Sequence, residues 1–162
     1  MRTVNFELED TDGSRRRLSE FRGRTVVLFV VGGESREAAA QAGALLAPGL
    51  RDTDAVVVAV ADMRRVPRLM RGVVRGAMRA GMRHAHDEAA RQVPEMPPDA
   101  WDRFTLLLDW DGAALDALAL RGRTDRFCVL VLDREGRERG HLVQGEAPAD
   151  ELVETIVRLA KR

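Results

Sequence analysis

Cys128 is the only cysteine in the 162 residues, so neither an internal disulfide nor a Cys-x-x-Cys redox or zinc motif can form. A thiol does chemistry as its thiolate, and the apolar stretch "FCVLVLD" around Cys128 works against ionisation. Structural packing is therefore its first reading, and a redox or ligand role its second. Gly32-Gly33-Glu34-Ser35 joins a strand-type run to a helix-type run, and such turns often carry reactive side chains. Ser35 needs an adjacent base to become a nucleophile, and no histidine is near it in sequence. A helix cap supplied by Glu34 or Ser35 is the simpler expectation. Asp109 and Asp111 flank Trp110 at the end of an apolar run, either as paired carboxylates or as turn builders. His84 and His86, with Asp87, invite a metal site. Two apart on a helix they point nearly opposite ways, His141 is far off in sequence, and zinc wants three or four converging ligands. No metal or other cofactor is expected.

The most individual stretch spans residues 63–103. From Met63 to His86 it holds seven arginines and no acid. At helical spacing Leu69, Met70, Val73, Val74, Ala77, Met78 and Gly81 share one face, as in a helix that covers a sheet. Arg71, Arg75, Arg79 and Arg83 fall on the other face at i, i+4 spacing, where like charges repel. Something anionic should lie opposite them: acids of this chain, a partner, or a phosphate-bearing ligand. The following "VPEMPPDAW" reads as an extended linker back to the sheet.

Bulk composition narrows the classes. Apolar content of 45% with 32% charge is that of a globular chain. A formal net charge of zero removes any general attraction to nucleic acid or anionic membrane, so neither is an expected partner. No apolar run approaches the roughly 20 residues that cross a bilayer, and "MRTVNFELEDTDG" shows no secretory h-region. A soluble cytoplasmic protein is expected.

The elements that must position these residues are legible. "VNFEL" alternates and meets the turn signal Asp12-Gly13. "TVVLFVV" and "AVVVAVA" are short, continuously apolar strands separated by an alanine-rich helix, a β-α-β unit. "FTLLLDWDG" adds a strand and turn before a short helix. "FCVLVLD" and "RERGHLVQG" form a hairpin, and "APADELVETIVRLAK" a closing amphipathic helix. One domain over residues 1–162 accommodates all of them, with 63–103 as a helical insertion.

This order resembles the thioredoxin-like redoxins of the peroxiredoxin and thiol-specific antioxidant type. "FELEDTDGSRRRLSEFRGRTVVLFV" resembles their opening hairpin and first core strand, "LLLDWDGAALDALAL" their strand, acidic turn and short helix, and "CVLVLDREGRERGHLVQGE" their late hairpin. The resemblance implies an α/β thioredoxin-like fold: a central mixed sheet flanked by helices, with an N-terminal hairpin. In the family the turn after the first core strand carries the catalytic cysteines. Here it holds Gly32, Gly33, Glu34 and Ser35, and nothing from Thr124 to Leu130 supplies the family's proline. The implied function is a non-catalytic binding or regulatory module for an unknown protein or small molecule. Gly32, Gly33, Glu34, Ser35, Asp109, Trp110 and Cys128 would line its vestigial groove, and an anionic ligand could sit on the arginine helix. The alternatives are a thiol-dependent antioxidant using Cys128 alone and, because "LLLDWDG" also resembles the first motif of haloacid-dehalogenase phosphatases, an Asp109/Asp111 phosphatase.

Overall fold

The computed structural model describes residues 2–162. In chain order the strands are β1 (Glu7–Asp10), β2 (Arg15–Arg17), β3 (Val26–Val31), β4 (Val56–Asp62), β5 (Phe104–Asp109), β6 (Cys128–Leu132) and β7 (Glu138–Val143). The helices are α1 (Arg36–Leu46), α2 (Arg71–Gln92), α3 (Ala113–Leu118) and α4 (Ala149–Ala160). The strands make one mixed sheet in the order β2-β1-β5-β4-β3-β6-β7. β3, β4 and β5 are parallel. β6 runs antiparallel to β3, and the expected hairpins close both edges.

All six residues of β3 are buried. A strand with no polar side chain needs cover on both faces, and it has it. Val27, Phe29 and Val31 face α1 and α4 through Ala42, Leu46, Leu152 and Ile156. Val26, Leu28 and Val30 face the N-terminal segment and α3 through Phe6, Leu18, Phe21 and Leu115. In α4 the acids Asp150 and Glu151 occupy the first turn, where the helix dipole favours them.

The long arginine helix forms as expected, but it does not lie flat on the sheet. No residue of α2 is buried. Only the i, i+4 row Val74, Met78 and Met82 packs against the core, while Leu69 is 97% exposed and Val73 66%. The reason lies on the adjacent row. Arg71 pairs with Asp111, Arg75 with Glu9, and Arg79 with Asp12. Three tethers one turn apart fix the rotation of the helix and leave one narrow row to meet the sheet. Among the described residues, no helix is long and apolar enough to cross a membrane.

A helix held by ion pairs and one apolar row should open more readily than the core strands. Amide hydrogen exchange is expected to show α2 protected at least about a hundredfold less than β3 and β4. Equal protection would show that α2 unfolds only with the whole molecule.

Candidate functional site

Three chain segments meet at the carboxyl end of β3. Gly32 follows the strand, Ser35 precedes α1, and Thr124 lies on the loop leading into β6. The Ser35 side chain is fully buried. Its hydroxyl accepts the Gly32 N–H at 3.0 Å and donates to the Thr124 carbonyl at 3.1 Å. A Cβ on Gly32 would collide with that same carbonyl, so glycine is what lets the loop close over the turn. Thr124 extends the network, its hydroxyl donating to Asp62 Oδ2 at 2.9 Å. Arg64 holds Asp62 through two 2.9 Å bonds. That guanidinium keeps the Asp62 carboxyl below the usual carboxylate range, with the Thr124 hydroxyl helping and burial opposing.

Ser35 does stand at the N-cap position of α1, but its hydroxyl makes no cap bond. It points back into the turn, and its partners are backbone atoms rather than a base. Nothing there can take its proton, so it is a tie and not a nucleophile. Gly33 and Glu34 are exposed beside it.

Cys128 pairs across the sheet with Val30, two residues below Gly32, and is 3% exposed. Burial pushes its thiol up to about 12, and the carboxylates of Glu138 and Glu146 add to the effect. At neutral pH the thiolate is therefore a vanishing fraction. Trp110 packs in the other core, on the α1 side of the sheet, while Cys128 packs on the α3 side. The two do not border one groove. Trp110 instead donates its Nε1–H to Glu9 at 3.2 Å beneath the Arg71 guanidinium, 5.3 Å from its ring centroid.

The D-x-D-G stretch is a turn. Asp109 is fully buried and accepts the backbone N–H groups of Gly112, Ala114 and Leu115 at 2.9, 3.0 and 3.1 Å. It thereby caps α3. A carboxylate spent on three amides is not poised as a phosphatase nucleophile, and Asp111 lies exposed on Arg71 instead. The anion opposite the arginine row is the chain's own: Arg71, Arg75 and Arg79 are each taken by an acid. Arg83, the fourth candidate, has no carboxylate within 4 Å among the described residues. The rings of His86 and Trp101 meet at a tilt of 49° with centroids 4.7 Å apart, and His141 lies 3.9 Å from Glu138.

No family model matches the chain, and no curated protein does. Solved structures do. The exposed lipoprotein thioredoxin Etrx1 of Streptococcus pneumoniae superposes with a TM-score of 0.61 at 17% identity, over 96% of this chain and 99% of that one. Yeast Sco1 with copper bound gives 0.64 at 13%, over 98% and 92%. The peroxidoxin BcpB of Mycobacterium tuberculosis gives 0.60 at 20%, over 99% and 94%. The fold is thioredoxin-like. Identities this low carry the fold alone.

On this thioredoxin-like frame, Asp62, its pairing with Arg64 and the role of Thr124 were not expected from the sequence. Asp62 ends a buried strand, which is a usable signal; the contact of Thr124 with Ser35 is made by a backbone carbonyl, which leaves none.

Ser35→Ala strands a buried amide and a carbonyl, and a loss of about 2 kcal/mol is expected in urea unfolding. Asp109→Ala strands three amides and should cost about 3 kcal/mol. A free unfolded thiol ionises near about 8.5, whereas folded Cys128 holds its proton to about 12. Stability contributed by the neutral thiol is therefore complete below the first value and is lost as pH rises towards the second. The chain has no tyrosine and one lysine, Lys161, so little else titrates between. The denaturation midpoint should fall more steeply from pH 8 to 11 in the native chain than in Cys128→Ala.

Proposed function

We propose that this chain is a redoxin-like module that works by binding and performs no thiol peroxidase or disulfide reductase chemistry. One observation carries the reading: where thiol redoxins hold an exposed thiolate at the mouth of a helix, this chain holds a buried serine hydroxyl already bonded on both sides. The site is degenerate in a specific sense. It has been filled by a backbone carbonyl, and Gly32 is what makes room for that carbonyl. The state of Cys128 supports the same conclusion, since a thiol raised to about 12 supplies almost no nucleophile at neutral pH. The copper belongs to yeast Sco1. In this chain, no group of three or more His, Cys, Asp or Glu able to hold a metal occurs among the described residues.

The competing reading is a one-cysteine antioxidant in which peroxide oxidises Cys128 to the sulfenic acid and an external thiol reduces it. Intact-mass measurement during mild peroxide treatment separates the two. The native protein should gain no oxygen at Cys128 while the same chain in denaturant is oxidised. Rapid oxygen addition in native buffer, abolished by Cys128→Ser, would establish the antioxidant.

A further inference from the structure

Because α2 stands off the sheet, a cleft of about 340 Å³ is left between α1, α2 and the strands beneath. This is within the size range of small-molecule sites. It follows the length of β4, from Ala61 at one end to Val57 at the other, and Phe29 and Leu106 complete its floor. Its walls are mostly Ala and Gly on both helices, with Met78 and Met82 added from α2. At Gly43 and Gly81, a Cβ would meet nothing within 4 Å. Helices disfavour glycine, so larger residues at both positions would close the cleft and strengthen the helices together.

The polar groups of the lining decide what fits. Arg36 and His86 are its only ionisable side chains, and no carboxylate lines it. His86 packs at a tilt against Trp101 at the Val57 end. Arg36 is different. It stands at the Ala61 end, and its one hydrogen bond within the protein runs from Nη1 to the Met78 sulfur at 3.1 Å, a weak acceptor. Among the described residues no acid lies within 4 Å of it, although Arg71, Arg75 and Arg79 nearby are each paired. An exposed cation with no acid beside it, at the mouth of an apolar cleft, matches an anion with an apolar tail. Met78, Met82 and Met96 line the same space with side chains that adapt to a flexible chain.

We propose that the cleft binds an unbranched aliphatic carboxylate, its chain along β4 and its carboxylate on Arg36. The site stands on the cleft and not on the thiol, so it is independent of how Cys128 behaves.

Calorimetric titration with dodecanoate below its micellar concentration, against dodecanol of equal chain length, tests it on the full chain. One dodecanoate per chain should bind saturably and at least tenfold more tightly than dodecanol. Arg36→Gln should erase that preference and leave dodecanol binding unchanged. Gly81→Leu should reduce binding of both at least tenfold with the melting temperature maintained or raised, and Gly43→Leu provides the same test from the facing helix. Absence of saturable binding, equal affinity for acid and alcohol in the native chain, an acid preference surviving in Arg36→Gln, or undiminished binding in both folded leucine variants would each overturn the proposal.

Discussion

None of the six side chains of β3 reaches solvent, so two separate covers have to be built over one strand. The α3 side is closed by bulky residues, with Leu18, Phe21 and Leu115 filling the space. The α1 side is closed over β3 by α1 and α4, but over β4 its roof is a helix whose position is governed elsewhere. Glu9, Asp12 and Asp111 draw the arginine row of α2 towards the β1–β2 hairpin and the turn after β5. Partly exposed ion pairs contribute little each, but three in a row set the rotation of a helix. The cleft above β4 is the geometric consequence of that choice.

The same strand delivers its carboxyl end into the place where thioredoxin-like proteins do their chemistry. Two features close it together. Gly32 removes the side chain that would hold the Thr124 loop away, and Ser35 bonds the loop once it arrives. A hydroxyl so placed satisfies two buried backbone groups that would otherwise be costly to leave unpaired, and this accounts for a polar residue in a fully buried position. Asp62 and Arg64 extend the closure to the end of β4. Stabilisation of this kind suits a scaffold, because a reacting group needs an unfilled side from which substrate can approach.

How much was legible in the amino acids depended on the range of the interactions. The unbroken apolar runs of β3 and β4 announced strands buried on both faces, and "FCVLVLD" announced a buried thiol; both are local signals. Asp109-Trp110-Asp111-Gly112 was readable as a turn, although the three amides that saturate Asp109 could only be counted in the fold. Trp110 and Cys128 looked like neighbours because each borders a family landmark, yet strand register puts them on opposite faces. The broad apolar face expected for α2 failed for a different reason: its partners Glu9 and Asp12 lie more than sixty-five residues from Arg75 and Arg79, and helical periodicity cannot say which of two amphipathic edges will be tethered. Thr124 meets Ser35 through its main chain, which leaves no trace in the sequence, and its hydroxyl meets Asp62 across sixty-two residues.

A binding module of the kind proposed needs Cys128 to carry no appreciable thiolate under the conditions in which a redoxin would work. The 13Cβ chemical shift of Cys128, followed by NMR from pH 6 to pH 10 in the folded protein, reads that directly. The shift should stay at its thiol value throughout, in keeping with a proton held to about 12. A titration centred near neutral pH, with the protein still folded, would contradict it.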